Sequence, residues 1–91
     1  MIISKTYIAT PPGYTIKEQL TDRGIAQEEF ATKMGMSQED LSKLINGEIQ
    51  LTNDMAVKLE TVLGIEASFW NNLEAIYREK YAKAIAENSA N

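Results

Sequence analysis

Apolar residues recur at spacings of three and four along most of this chain, which is the period of a helix with one buried face. A glycine interrupts the pattern after each of four segments, at Gly24, Gly35, Gly47 and Gly64. Glycine is the residue most often found just after a helix C-terminus. The pattern therefore predicts five helices joined by short connections, which is an all-α bundle.

Three polar residues stand where helices are expected to begin. Thr15 is followed by Glu18, the pairing of a capping box, while Ser37 and Thr52 precede the third and fourth segments. Two prolines and a glycine at residues 11–13 stop regular structure before Thr15. We therefore predict an extended N-terminal arm over residues 1–14, a helical domain over residues 15–86 and a frayed polar tail over residues 87–91.

The second and third segments have the spacing of a helix-turn-helix, in the sequence QEEFATKMGMSQEDLSKLING from Gln27 to Gly47. Two helices that cross closely need a small residue at the crossing, here Ala31, and a turn residue that tolerates positive φ, here Gly35. The residues expected to fill the space beneath the two helices are Phe30, Met34, Met36, Leu41 and Leu44. An ordinary pair of helices capped by a glycine is the alternative interpretation.

Composition restricts the chemistry that the chain can perform. It has no cysteine and no histidine, so it lacks disulfides, the commonest general base and the commonest metal ligand. Its carboxylates, lysines and tyrosines form no spaced constellation, so we predict no enzyme, no cofactor and no metal site. No apolar run approaches the roughly 20 residues of a membrane span. The first residues lack the apolar core of a signal peptide, and a cytoplasmic protein is expected.

Four segments together resemble a known family: PPG, QEEFATKMGMSQEDLSKLING, LTNDMAVKLETVLG and FWNNLEAIY. They are similar to the Cro/C1-type (XRE) helix-turn-helix proteins and, within them, to the HigA-type or VapI-like antitoxins. The resemblance runs from Pro11 to about Tyr81. It implies a five-helix, lambda-repressor-like DNA-binding domain, commonly dimeric, in a protein that represses its own operon and neutralises a partner toxin. The partners that it implies are double-stranded operator DNA, a second copy of the chain and a cognate toxin.

In a helix-turn-helix, the N-terminal part of the second helix enters the major groove. Burial of the apolar face leaves five residues of that helix and its cap facing outward: Ser37, Gln38, Glu39, Ser42 and Lys43. Gln38 can pair with adenine through two hydrogen bonds, and Lys43 can donate to guanine or to phosphate. The resemblance adds Gln27 and Asn46 as contacts to the DNA backbone. These seven residues are the predicted DNA-binding site.

The same surface carries an excess of negative charge. Five acidic residues stand against two lysines, Lys33 and Lys43, between Gln27 and Glu48, and the net charge of the chain is −4. Because DNA-binding surfaces are usually basic, we expect weak or strongly salt-dependent binding by a monomer, and useful affinity only from a dimer on two half-sites. Glu39 has two interpretations, as an acceptor for a cytosine amino group or as a residue that favours the helix dipole.

The fifth segment carries more apolar and aromatic residues than packing on a small bundle requires. Phe69, Leu73 and Ile76 are expected in the core. A stripe formed by Trp70, Tyr77, Tyr81 and Ile85 is predicted to be a dimer seam or a toxin-docking face, although Trp70 also suits the core. Half-buried tyrosines with their hydroxyls in water are the alternative.

Two other functions remain open on the sequence alone. A protein-interaction module that kept the fold and lost DNA binding is favoured by the acidic recognition helix. The chain is alternatively the N-terminal DNA-binding part of a larger regulator, because similar PPG…FWNNLEAIYREK segments precede zinc-peptidase-like domains in longer proteins.

Overall fold

The computed structural model describes residues 2–3 and 8–89. A two-stranded antiparallel sheet, β1 (Ile2–Ile3) and β2 (Ile8–Ala9), precedes five helices. The helices are α1 (Gly13–Arg23), α2 (Gln27–Met34), α3 (Gln38–Ile45), α4 (Asn53–Leu63) and α5 (Ala67–Ser89). The prediction of a five-helix, all-α domain is confirmed.

Before α1, the described residues include two short strands that pair with each other. Ile2 pairs with Ala9 and Ile3 with Ile8, so the two strands form a small ladder, and both strands contact α5. Ala9 is buried, as are the two prolines that follow it and Gly13. Residues 9–13 therefore pack on their own chain.

Local chemistry explains five of the ten ends of these helices. The Ser37 hydroxyl accepts a hydrogen bond from the Asp40 N–H at 3.0 Å, and the Thr52 hydroxyl accepts one from the Met55 N–H at 3.2 Å. Both predicted N-caps are thus present. Left-handed glycines follow three of the helices, at Gly24, Gly35 and Gly64. The last helix, α5, reaches Ser89 and so includes residues 87–89, which the sequence had placed in the tail.

The capping box predicted at Thr15 is wrong. The helix α1 begins two residues earlier, at Gly13, and Pro12 occupies the cap position without a side-chain hydrogen bond. Proline suits this position because its φ is fixed near the helical value and it has no N–H that would need a partner. Thr15 therefore lies inside the first turn.

A single apolar core joins the five helices. Its buried members are Ile16, Leu20, Phe30, Ala31, Met34, Leu41, Leu44, Ile45, Leu51, Ala56, Leu59, Leu63 and Trp70, with Met36 packed against them. The residues predicted to fill the space beneath the helix-turn-helix are all in this core or against it. Their burial fixes the orientation of α2 and α3.

The buried face of α5 differs from the predicted one. Trp70 is 0% exposed and its indole N–H donates to the Ile65 carbonyl at 3.2 Å, whereas Phe69 is 41% and Ile76 49% exposed. The prediction of Phe69 and Ile76 in the core is therefore wrong, although Leu73 does pack against it. The buried line runs through Trp70, Tyr77 and Ala84, which are seven residues apart. Phe69 and Ile76 lie roughly a third of a turn away from that line.

Candidate nucleic-acid interface

The connection between α2 and α3 has the geometry that a close helix crossing requires. Gly35 has φ of 67°, and its N–H donates to the Thr32 carbonyl at 3.1 Å. The next N–H, of Met36, donates to the carbonyl of Ala31 at 2.9 Å, and Ala31 is buried. These bonds close the C-terminus of α2 and turn the chain sharply. The next helix, α3, begins three residues after Gly35.

The helix α3 has one apolar side and one polar edge. Leu41, Leu44 and Ile45 are buried in the core. The opposite side chains reach solvent: Ser37, Gln38, Glu39 and Ser42 are exposed and Lys43 is half-buried. Gln27 at the start of α2 and Asn46 just after α3 are exposed as well. All seven predicted DNA-binding residues are therefore at the surface.

Both lysines of the helix-turn-helix lie beside a glutamate of their own helix. Lys43 Nζ is 3.4 Å from Glu39 Oε1, and Lys33 Nζ is 3.6 Å from Glu29 Oε1. Such exposed pairs are worth only about 0.3–0.5 kcal/mol, so a phosphate group can displace the carboxylate. Until that happens, the positive charge at the edge of α3 is largely offset.

A groove of about 440 Å³ lies between α1 and the end of α3. Tyr14, Lys17, Thr21 and two carboxylates, Glu18 and Asp22, line it from α1, and Ile45 and Asn46 line it from the end of α3. Gly13 allows this close approach, because a β-carbon there would overlap the backbone of Ile45. The packing brings Lys17 to the same groove as Asn46, which the sequence pattern did not indicate.

A buried carboxylate fixes the connection between α3 and α4. Glu74 on α5 is 6% exposed, and its Oε1 accepts a hydrogen bond from the Leu51 N–H at 2.8 Å. Arg78, one turn further along α5, places its Nε 3.3 Å from Glu74 Oε2. Sequence reasoning missed Glu74. The available signal was a glutamate within the apolar part of α5, four residues before an arginine.

Two of the four residues predicted for an interface on α5 are inside the chain. Trp70 and Tyr77 are buried, so the prediction that they line an interface is wrong. Burial is also the main reason that the pKa of Tyr77 lies above its ordinary value of 10.0. Tyr81 and Ile85 are partly exposed and remain available to a partner.

In residues 2–3 and 8–89, no group of three or more carboxylates is arranged to hold a metal ion. No helix in these ranges is long and apolar enough to cross a membrane.

A short helix, a glycine turn and a second helix with an exposed polar edge define a helix-turn-helix. The sequence matches the helix-turn-helix family over residues 16–70. The chain belongs to this family, and within it to the XRE type.

Two curated relatives agree with this assignment. The chain is 36% identical over 63 residues to the HTH-type transcriptional regulator YddM of Escherichia coli, a match that covers 69% of this chain and 67% of that protein. It is 39% identical over 57 residues to antitoxin HigA-1 of Vibrio cholerae, covering 63% of this chain and 53% of that protein. This chain therefore spans about half of the length of the antitoxin.

Solved structures share the whole fold. A protein from Nostoc punctiforme is 30% identical with a TM-score of 0.80, over 89% of this chain and 91% of that one. Antitoxin HigA of Pseudomonas aeruginosa, solved with the higBA promoter, is 25% identical with a TM-score of 0.76, over 91% of this chain and 89% of that one.

Proposed function

We propose that this chain is a sequence-specific DNA-binding regulator of the HigA antitoxin type, which represses its own toxin–antitoxin operon by inserting α3 into the major groove. The observation that carries the proposal is the division of α3 into a buried apolar side and an exposed polar edge. Membership of the helix-turn-helix family and the similarity to two HigA antitoxins, one solved with promoter DNA, support it.

The residues of α3 have distinct roles in this proposal. Gln38 and Ser42 face the bases, where a glutamine amide can make two hydrogen bonds to adenine. Lys43 leaves its partner Glu39 and donates instead to guanine or to a phosphate. Ser37 contributes mainly by capping α3, because its hydroxyl already accepts from the Asp40 N–H.

Contacts to the DNA backbone come from the two ends of the motif. The helix α2 presents unpaired N–H groups at its start, where Gln27 is exposed. Asn46 follows the C-terminus of α3 and lines a groove with Lys17. Phosphates bound at these two places fix the depth of α3 in the groove.

A dimer and a toxin complete the proposed function. One helix-turn-helix covers one half-site, and two half-sites lie about 34 Å apart on B-DNA. Tyr81 and Ile85 on α5 are exposed apolar residues that a second copy or a toxin can cover.

A second candidate is a protein-interaction module without DNA binding. The observation that favours it is the pairing of Lys33 and Lys43 with glutamates on an acidic surface. Such a module keeps the fold but gains little from counterion release.

The experiment that separates the two candidates is fluorescence anisotropy with the DNA upstream of the chain's own gene. We expect specific binding that is lost in the double variant Gln38→Ala, Lys43→Ala. There are two controls: Gln38→Ala alone shows how much of the loss belongs to Lys43, and Lys80→Ala alone removes one exposed positive charge on α5. Lys43→Ala should also lower the slope of log K against log salt by about one.

Unchanged affinity in the α3 double variant excludes α3 as the reading helix. An equal loss of affinity in Lys80→Ala would show that binding depends on positive charge alone and is not specific. Absence of specific binding by the unaltered chain favours the interaction module.

A further inference from the structure

Glu74 is a buried carboxylate that the proposed DNA contacts leave without a role. It lies on the core side of α5, between the buried residues Trp70 and Tyr77. Burying a carboxylate is costly unless hydrogen bonds and an opposite charge compensate it. Replacing a buried ion pair by apolar side chains is often neutral or stabilising. Stability therefore gives little reason for a glutamate at this position.

The contacts of Glu74 point to one segment of the chain. Its Oε1 accepts from the Leu51 N–H at 2.8 Å and, less closely, from Arg78 Nη2 at 3.3 Å. Its Oε2 faces Arg78 Nε at 3.3 Å without hydrogen-bond geometry. The guanidinium of Arg78 lies 5.0 Å from the centre of the Tyr77 ring. The shortest and best-formed of these contacts is the one to Leu51.

Leu51 closes the connection that begins where α3 ends, residues 46–52. The other end of this connection touches the same face of α5, because the Tyr77 hydroxyl lies 3.3 Å from the place of a β-carbon on Gly47. The helix α5 therefore holds the connection near both of its ends. Asn46, a proposed backbone contact, is the first residue of the connection.

We propose that Glu74 is a positioning residue for DNA recognition, which fixes the end of α3 against α5 through the Leu51 N–H. The inference rests on the proposed DNA-binding function. Base contacts require side chains to be held within about 0.5 Å of their binding geometry, and supporting hydrogen bonds supply that accuracy. Without the bond to Leu51, the connection can move away from α5 and α3 can change its angle to the core. Contacts to base edges then weaken more than contacts to phosphates.

The test compares three variants of the full chain. Glu74→Met fills a similar volume and removes the acceptor. Glu74→Gln keeps an acceptor oxygen for Leu51 and removes the charge. Glu79→Gln is the control. It also replaces a glutamate of α5 that is paired with a basic residue, here Lys83, but Glu79 is exposed. Anisotropy gives the affinities for upstream DNA and for unrelated DNA, at a temperature where denaturation curves show every variant to be folded.

We expect Glu74→Met to lower the affinity for upstream DNA by about tenfold, the size of one hydrogen bond to a charged group, with little change for unrelated DNA. Hydrogen exchange of the Leu51 amide should become faster in the same variant. Glu74→Gln should restore most of the ratio between the two affinities, and Glu79→Gln should not change it. A loss of stability alone does not alter this ratio among folded molecules.

Glu74→Asp keeps the test decisive if Glu74→Met does not fold. Its side chain is one methylene shorter, so it keeps the negative charge and withdraws the acceptor from Leu51, and the affinity ratio should again fall. An unchanged ratio with faster exchange at Leu51 overturns the proposal, and so does an equal fall in Glu74→Gln and Glu74→Met. If the unaltered chain shows no specific binding, the proposed function itself fails, which is a different result.

Discussion

Glu39 and Lys43 lie one turn apart on the exposed edge of α3, with 3.4 Å between carboxylate and ammonium. A lysine in this position serves DNA binding only after it leaves the glutamate. The pair therefore lowers the attraction to any phosphate and leaves the carboxylate free to accept from a base when Lys43 has moved. In the proposed function, these two residues set the balance between attraction to any DNA and discrimination in favour of one sequence.

Substitution of Glu39 by glutamine tests this balance. We expect Glu39→Gln to raise the affinity for unrelated DNA by less than about tenfold, since one more positive charge becomes available to phosphates. Discrimination in favour of the upstream DNA should fall. Anisotropy titrations at several salt concentrations measure both quantities, and Glu29→Gln, which frees Lys33 on α2, is the matched control. Unchanged affinity for unrelated DNA would show that the pair does not restrain Lys43.

Gly13 is a second residue with a local effect, because its lack of a side chain lets α1 approach the backbone of Ile45. Alanine normally stabilises a helix relative to glycine by about 0.5–1 kcal/mol. At Gly13 the added carbon would overlap the backbone of Ile45, which cannot rotate away as a side chain can. We expect Gly13→Ala to lower the free energy of unfolding by about 1–3 kcal/mol in urea denaturation. Thr21→Ala, on the exposed side of α1, is the control and should be close to neutral or stabilising. A stabilising effect at Gly13 would contradict the close packing of α1 on α3.

At the scale of elements, the turn between α2 and α3 could be predicted from the sequence because its causes are local. Ser37 caps α3 through a backbone N–H three residues away, and Gly35 adopts a conformation that depends on its own lack of a side chain. The start of α1 was not readable in this way. Thr15 has the right neighbour for a capping box, yet the packing of Gly13 on Ile45 extends the helix upstream of it.

Paired alanine substitutions distinguish a true cap from an apparent one. Ser37→Ala should cost about 1 kcal/mol of stability, because it leaves the Asp40 N–H without its partner. Thr15→Ala should stay within about 0.5 kcal/mol of the unaltered chain, because Thr15 lies inside α1. Urea denaturation of the two variants in parallel provides the measurement. Similar losses in both would mean that α1 begins at Thr15.

For the long helix α5, the apolar pattern predicted the helix correctly but did not predict which of its faces is buried. It carries two apolar stripes, one with Trp70 and Tyr77 and the other with Phe69 and Ile76. Both have helical spacing, so the sequence pattern did not determine which would be buried. The helix α5 contacts α4 and both strands, and it is the stripe with Trp70 and Tyr77 that is buried. Phe69 and Ile76 are left exposed as a result.

At the scale of the whole molecule, the proposed function gives each chain one reading helix, so binding to two half-sites would require a second copy. Tyr81 and Ile85 are the predicted interface residues that packing leaves partly exposed. The same helix also exposes Phe69 and Ile76 on another face, which gives a control of similar apolar character. The two surfaces can therefore be compared within a single element.

Sedimentation velocity over a range of concentrations tests the interface. We expect the chain to form a dimer, and the double variant Tyr81→Ser, Ile85→Ser to shift it to monomer with a small change in stability, because both side chains are already partly in water. The variant Phe69→Ser, Ile76→Ser should remain a dimer. The reverse outcome would move the interface to the other face of α5.

The sequence by itself determined the number and approximate limits of the helices, the helix-turn-helix and the exposed edge of α3. These follow from periodicity, caps and glycines, which act over a few residues. Only the tertiary structure decided which stripe of α5 is buried, where α1 begins, and that Glu74 reaches Leu51, 23 positions away in the chain. Those outcomes depend on which surfaces meet when the helices pack, and no local pattern records the identity of a distant neighbour.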